Sequence, residues 1–415
     1  MSRKICGLLG EKLSHTYSPE IHAELGDYEY NVYEKTEEEL DDFFANGDWD
    51  GINVTIPYKK TVMKYCDELS SVARVIGSVN TIVRREDGTL YGDNTDAYGF
   101  ELLIEMLSVP VSGSKALVLG SGGASLTAVY TLRKLRARSV IVISRTGENN
   151  YDNISRHYDA DLIINTTPVG MYPDMNRSPL DLSPFKELKG VIDIIYNPAR
   201  TNLIMQAESL GVPCIGGIRM LVGQAAKSAE LFDNVETTRR RVNNIASELT
   251  RRKMNIVLVG MPGSGKTRIA RSLAQNLGWP MLDTDEMIIQ RTGRSPSDII
   301  INDGEPAFRD IEMEIIEDTA LTANCIISTG GGCVTRSENY YPLHRNSLVV
   351  WIRRDLALLS TEDRPLSQTA DISFMYQKRY PMYEYFSDMI VENNGSIEDA
   401  VNEIVRASGV EILED

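Results

Sequence analysis

The segment GMPGSGKT, from Gly260 to Thr267, lies between the apolar run NIVLV and the helical pattern RIARSLAQNLG, so a glycine-rich loop joins a strand to a helix. Few short sequences restrict a fold as strongly. The spacing GxxxxGK[ST] lets backbone N–H groups turn inward around phosphate oxygens, sends a lysine toward the outer phosphates and leaves a hydroxyl for a magnesium ion. Gly260, Gly263, Ser264, Gly265, Lys266 and Thr267 fill that pattern, and make the last third of the chain a candidate nucleoside-triphosphate enzyme with an α/β fold.

The loop begins late in a chain of 415 residues, which is long enough for two or three domains, each with its own core. With 42% hydrophobic and 25% charged residues, the composition is that of a globular protein. No apolar run approaches the length of a bilayer span. The apolar start stops at Glu11 and Lys12, too early for a secretory signal, and reads as a first strand. Five cysteines, Cys6, Cys66, Cys214, Cys325 and Cys333, are scattered without paired metal-ligand spacing; they point to a reducing cytoplasm. A net charge of −16 disfavours nucleic acid and acidic membranes, so an anionic ligand needs local basic groups and small metabolites are the expected partners. Oligomeric state is not legible.

Along the chain, short apolar strands alternate with helical patterns: KICGLLG, a helix near SPEIHAEL, YNVYE, a helix near TEEELDDFF, then GINVTIP. A second block opens at Lys115 with KALVLGSGGASLTAVYTLRKL and continues through SVIVISRT, LIINTTP and GVIDIIY. The arginine-rich run VETTRRRVNNIASELTRRKMN reads as a solvated helix joining two halves. The expected domains are 1–98, completed by about 215–235, then 99–214, a helical connector over 236–253, and 254–415.

In the second block Gly120, Gly122, Gly123, Ala124 and Ser125 sit at a strand-to-helix turn, where small residues let a pyrophosphate approach a helix N-terminus; a plain tight turn would use the same residues. The next strand ends in Ser144, Arg145 and Thr146 with no Asp or Glu, the arrangement that favours NADP over NAD.

Several separated motifs in residues 1 to 235 resemble shikimate dehydrogenase. LSHTYSPEIH carries Thr16 and Ser18, GINVTIPYKK carries Thr55 and Lys59, GSVNTIV carries Asn80, and GDNTDAYGF carries Asp96. INTTPVGM, VIDIIYNPART with Tyr196, and GGIRMLVGQAA with Gly217 and Gln224 complete the series. The resemblance implies a substrate-binding α/β domain facing a Rossmann-like NADP domain, and NADPH-dependent reduction of 3-dehydroshikimate to shikimate. Thr16 and Ser18 would hold the substrate carboxylate, although Ser18 before Pro19 also suits a helix N-cap. Lys59 and Asp96 would supply the proton for the developing alkoxide, with either as the formal acid. Thr55, Asn80, Tyr196 and Gln224 would bind the substrate, and Gly217 the cofactor. The chain departs from the family where Thr16 replaces a more usual serine and Ser144 the usual asparagine before Arg145. An NAD-preferring quinate/shikimate dehydrogenase is therefore the nearest alternative.

From about Met254 the chain resembles shikimate kinase, with a P-loop domain like that of nucleoside monophosphate kinases. MLDTDEMI supplies Asp283, for Mg²⁺ together with Thr267, and Asp285, for the substrate hydroxyl. GEPAFRDIE carries Arg309 beside Phe308 and Glu312, ISTGGGCV carries Gly330, Gly331 and Gly332, TEDRPLS carries Arg364 in a lid over 353–368, and KRYPMY carries Arg379. The family reading makes Arg309 and Arg379 a carboxylate clamp, with Gly331 and Gly332 beside it, and Lys266 and Arg364 the cations drawing charge from the transferring phosphoryl of ATP. Shikimate made by the first half would be the substrate of the second. A metabolite-sensing regulator without catalysis is the alternative of another class.

Overall fold

The computed structural model describes residues 3–13, 16–359 and 372–410. These form two compact units, residues 1–247 and 248–415.

The first unit holds two sheets. Strands β1 (Ile5–Gly10), β2 (Glu29–Glu34), β3 (Gly51–Val54), β4 (Glu68–Leu69), β5 (Thr81–Arg84) and β6 (Leu90–Asp93) form a mixed sheet in the order β2-β1-β3-β5-β6-β4. The parallel pairs β1/β2 and β1/β3 follow from helical crossovers, whereas β5 runs antiparallel to both β3 and β6. The turn from β5 to β6 brings Asn80, just before β5, beside Thr95 and Asp96, just after β6.

The second sheet is all parallel: β7 (Lys115–Leu119), β8 (Ser139–Ile143), β9 (Leu162–Asn165), β10 (Gly190–Asp193) and β11 (Cys214–Gly216), in the order β11-β10-β9-β7-β8. Strands β9 and β10 are buried along their whole length, as a sheet covered on both faces requires. The order reverses at β7, and the crevice beyond the carboxyl ends of such strands is where α/β sheets bind ligands. The glycine-rich turn leaves β7 at that point.

The second unit repeats this logic with β12 (Asn255–Val259), β13 (Met281–Asp283), β14 (Ile326–Ser328), β15 (Ser347–Arg353) and β16 (Met389–Glu392), parallel in the order β13-β14-β12-β15-β16. All five residues of β12 are buried. Each buried Val, Leu or Ile contributes about 1.5–3 kcal/mol, so the strand that feeds the phosphate loop is anchored by its own apolarity.

The arginine-rich run forms the helix Arg239–Arg251, and the unit boundary falls inside it. It is helical as expected but not solvated all round: Val242, Ile245, Ala246 and Leu249 are buried. Arg239 pairs with Glu105 at 2.7 Å and Arg241 donates to the carbonyl of Glu24. Apolar residues spaced three and four apart outweigh the charge of the opposite face. Among the described residues no helix is long and apolar enough to cross a membrane, and all five cysteines are free thiols.

Candidate active sites

In the first unit Lys59 Nζ donates to Asp96 Oδ2 at 2.6 Å. Asn80 Nδ2 donates to the other carboxylate oxygen, Oδ1, at 3.0 Å. Asp96 starts the helix Asp96–Leu107, so its charge also sits at the positive end of a helix dipole. Three sequence candidates therefore converge on one carboxylate. Both Lys59 and Asp96 keep part of their side chains open to solvent, which leaves them accessible to a ligand.

The other candidates surround that pair less tightly. Thr16 donates to Ser18 Oγ at 3.1 Å and its own Oγ1 accepts from the Ser18 N–H at 3.2 Å. Ser18 is the first residue of the helix Ser18–Ala23 rather than its N-cap; Tyr17 takes that place without a side-chain cap. Tyr17 in turn packs against Tyr196, with ring centroids 5.4 Å apart. Thr55 follows β3, next to Val54, whose N–H donates to Asn80 O at 2.7 Å. Gln224 does not reach the pair through its amide nitrogen, which donates to Leu221 O at 2.9 Å.

At the second sheet, Gly120 has φ +101°, a backbone that favours glycine. Gly122 caps the helix Gly123–Lys134, whose first turn holds no acidic residue. A Cβ at Gly122 or Gly123 would meet nothing within 4 Å and both residues are exposed, so the start of this helix is open to a ligand. Arg145 is exposed just beyond β8 and forms no salt bridge with the described residues. An open helix N-terminus with a cation one strand away fits a dinucleotide phosphate. Gly217 is different. Its N–H donates to Ile195 O, its carbonyl accepts from Leu221 N–H, and a Cβ would overlap the Ile194 carbonyl. Close packing demands glycine there, with both backbone groups already satisfied.

In the second unit Gly260, Gly263 and Gly265 all have positive φ, at 147°, 83° and 95°. Lys266 is 7% exposed and donates to the carbonyls of Gly260 at 2.9 Å and Met261 at 3.0 Å. The Ser264 hydroxyl is buried without a hydrogen-bond partner, a polar group left over inside an anion-binding loop. Thr267 donates to Asp283 Oδ2 at 3.2 Å and lies 3.3 Å from Ser328 Oγ. These hard oxygen ligands suit Mg²⁺, which takes one or two protein groups and completes its shell with water and phosphate.

Arg309 is buried on the helix Glu305–Thr319 and donates to Glu312 Oε2 at 2.7 Å and Glu305 Oε1 at 2.9 Å. Arg379 donates to Gly331 O at 3.0 Å, and Tyr383, one turn further along the helix Ile372–Phe386, donates to the same oxygen at 2.5 Å. A Cβ on Gly332 would overlap the Arg309 guanidinium, and one on Gly330 would lie 2.5 Å from Glu312 Oε1 and 3.1 Å from Asp285 Oδ1. Gly332 thus makes room for Arg309 and Gly330 for two carboxylates, while Gly331 packs against Pro262 and gives its carbonyl to Arg379. Burial pushes the Glu312 carboxyl up, Arg309 pulls it down, and the Asp285 charge pushes it up again; burial prevails because Glu312 Oε1 has no partner. Arg364 and residues 360–368 of the expected lid lie outside the described residues.

Sequence reasoning missed several groups. Asn53, Thr81, Thr95 and Ser228 form a buried polar cluster behind Asn80. Asn393 braces the phosphate loop by donating to Ser264 O at 2.7 Å, and helps line a cavity of about 280 Å³ with Gly265, Arg268, Arg354 and Ser396. Asn and Ser on apolar strands and helices carry no periodic signal; only the odd polar residue inside GINV hinted at Asn53.

The shikimate kinase family model matches residues 262–408, and the model of the shikimate dehydrogenase substrate binding domain matches residues 8–82. The chain is 35% identical over 267 residues to shikimate dehydrogenase (NADP(+)) of Clostridium perfringens strain SM101, covering 59% of this chain and 98% of that protein. The crystal structure of a chorismate mutase/shikimate 5-dehydrogenase fusion protein from Clostridium acetobutylicum superimposes with a TM-score of 0.57 at 35% identity, over 60% of this chain and 98% of the other. Quinate dehydrogenase from Corynebacterium glutamicum, solved with NAD, gives 0.54 at 25% identity, over 60% and 98%. With nearly the whole of such a relative matched by the first unit and a kinase model matched by the second, this chain belongs to the shikimate dehydrogenase family and carries a shikimate kinase domain after it.

Proposed function

We propose that the chain reduces 3-dehydroshikimate to shikimate with NADPH and phosphorylates shikimate at its 3-hydroxyl with MgATP, in the cytoplasm. The observation that carries this reading is that one chain holds both a Lys59–Asp96–Asn80 cluster and a phosphate loop whose unit also gathers Arg309, Arg379 and Asp285.

Bound NADPH supplies the hydride. The chain's part is to hold the ring acid and give a proton to the alkoxide. Lys59 is the better donor, because Asp96 accepts hydrogen bonds from both Lys59 and Asn80 and is thereby kept as the acceptor that orients a ring hydroxyl. Thr16 and Ser18 offer hydroxyls to the substrate carboxylate, Thr55 and Gln224 to the remaining ring oxygens, and Tyr196 covers the site from the second sheet. Gly122, Gly123 and Ala124 receive the pyrophosphate, while Arg145, flanked by Ser144 and Thr146, meets the 2′-phosphate.

MgATP supplies the phosphoryl group. Lys266 exchanges its two carbonyl partners for phosphate oxygens, Ser264 gains the partner it lacks, and Thr267 with Asp283 holds the ion. The cavity beside Gly265 and Asn393 takes the nucleoside. Arg309 and Arg379 grip the carboxylate, and Asp285 orients the attacking hydroxyl. Glu312 keeps the Arg309 fork aimed by occupying one of its edges.

Separate assays test the two halves: loss of NADPH absorbance with 3-dehydroshikimate, and ADP release with shikimate. Both are expected. Failure of the first alone leaves a kinase fused to a silent dehydrogenase, and ligand binding without either turnover favours the regulator. The NAD-linked quinate reading is favoured by one observation, the quinate dehydrogenase neighbour, and is opposed by Arg145, which has no ion pair among the described residues; NADPH against NADH, and shikimate against quinate, separates them.

A further inference from the structure

Behind the reducing site lies a hydroxyl to which the steps above give no task. Ser228 is 0% exposed on the helix Ile218–Asp233, one turn after Gln224. Its Oγ donates to Gln224 O at 3.0 Å and accepts from Asn53 Nδ2 at 2.7 Å. It also lies 2.8 Å from Thr81 Oγ1 and 3.1 Å from Thr95 Oγ1.

Counting protons orders this cluster. A serine hydroxyl has one hydrogen and two lone pairs. The Gln224 carbonyl can only accept and the Asn53 amide nitrogen can only donate, so the Ser228 hydrogen goes to Gln224 and one lone pair remains, which the Thr81 or the Thr95 hydroxyl fills. The threonine hydroxyl that does not serve Ser228 is then free to donate to Asn80 Oδ1, 3.2 Å from each, an oxygen that also accepts the Thr95 backbone N–H at 2.7 Å. With its oxygen engaged there, the Asn80 amide has one orientation left: its nitrogen faces Asp96 Oδ1. The reversed amide would put an oxygen lone pair against that carboxylate.

We propose that Ser228 is a positioning residue for the reduction, acting through Thr81, Thr95 and Asn80 on Asp96 and through its own helix on Gln224. This rests on the reading of Lys59 and Asp96 as the reducing centre. The hydroxyl ties the helix carrying Gln224 to the open end of the β5–β6 hairpin, where Asn80 and Asp96 lie, so two groups from distant parts of the chain keep one geometry. Misplacements below 1 Å suffice to slow an oriented reaction.

The test compares Ser228→Ala, Thr81→Val and the double variant in the full chain. Readouts are kcat and KM for NADPH-dependent reduction, the primary isotope effect with 4-deuterated NADPH, and the unfolding midpoint. Each single variant is expected to lower kcat about tenfold, with KM for NADPH within about twofold and a larger isotope effect as hydride transfer becomes limiting. The double variant is expected to match the singles, because both substitutions break one network. A lower unfolding midpoint with unchanged kcat and isotope effect would overturn the proposal and leave Ser228 a core hydrogen bond. Should Ser228→Ala fail to fold, the near-isosteric Thr81→Val decides alone by the same criteria. A wild-type chain that binds 3-dehydroshikimate and NADPH but reduces nothing would instead overturn the reading beneath it.

Discussion

The two candidate sites hold their charges in opposite ways. At the first site the Lys59–Asp96 ion pair is backed by neutral donors and acceptors. In the second, three cations point at protein acceptors: Lys266 at the Gly260 and Met261 carbonyls, Arg309 at Glu305 and Glu312, Arg379 at Gly331 O. A site for a polyol ketone needs orientation, and neutral hydrogen bonds supply it without reorganisation. A site for a tetra-anionic nucleotide and a carboxylate needs surplus positive charge, which must be neutralised locally until the anions bind. On the proposed reading, the reducing site is set before its ligands arrive, while the phosphoryl site exchanges partners on binding.

The largest effect that would break the comparison is crossed loss. Lys59→Ala should lower reduction by about 10²–10⁴-fold and spare ADP release, whereas Lys266→Ala should do the reverse, with a loss of similar size. Steady-state assays of both activities on each variant check this; one well-folded variant losing both would show that the sites are not independent. Next in size, Arg309→Lys removes a planar fork from a buried carboxylate contact. KM for shikimate should rise about 10–100-fold, as expected for losing about 1.5–3 kcal/mol of charged hydrogen bonding, while KM for ATP stays near its original value. A KM for shikimate unchanged by that substitution would remove Arg309 from the clamp. Smaller again, Arg145→Ala should reduce the preference for NADPH over NADH about tenfold and weaken its dependence on salt. Equal use of both cofactors by the wild type would remove the premise.

A last expectation concerns stability rather than turnover. Asp193, 0% exposed, accepts from Thr201, Asn165 and the Ile195 N–H, and burial raises its carboxyl from 3.8 to about 6. A folded-state value above the unfolded one means that its contribution is fully present below about 3.8 and is lost as pH rises through about 6. Denaturant unfolding of the first unit should therefore lose up to about 3 kcal/mol from this group across that window. Asp193→Asn should flatten the slope, and an unchanged slope would show that Asp193 titrates normally.

Much of this architecture was legible in the sequence. NIVLV followed by GMPGSGKT announces a buried strand and a phosphate loop because both signals are local and chemically narrow. VLGSGGAS and the following SVIVISR do the same for the second sheet. The antiparallel β5 and the small β4 were not legible, since pairing partners distant in sequence leave no local trace. Pro381 inside the helix Ile372–Phe386 runs against propensity; the buried Arg379, Tyr383 and Phe386 show tertiary packing prevailing. In the sites, Lys59, Asp96 and Arg309 stood out through their motifs. Ser228, Thr81 and Asn393 did not, because a hydroxyl or amide gains its role only from what the fold places beside it. The buried face of the helix Arg239–Arg251 was missed for the related reason that arginines masked the apolar stripe of Val242, Ile245 and Leu249.

The central claim is that one chain carries out consecutive steps on one ring acid. Incubating the purified chain with 3-dehydroshikimate, NADPH and MgATP, and identifying products by mass spectrometry, tests it most directly. Shikimate 3-phosphate is expected, formed only when both NADPH and ATP are present. Unchanged 3-dehydroshikimate, or shikimate that is never phosphorylated, would contradict it.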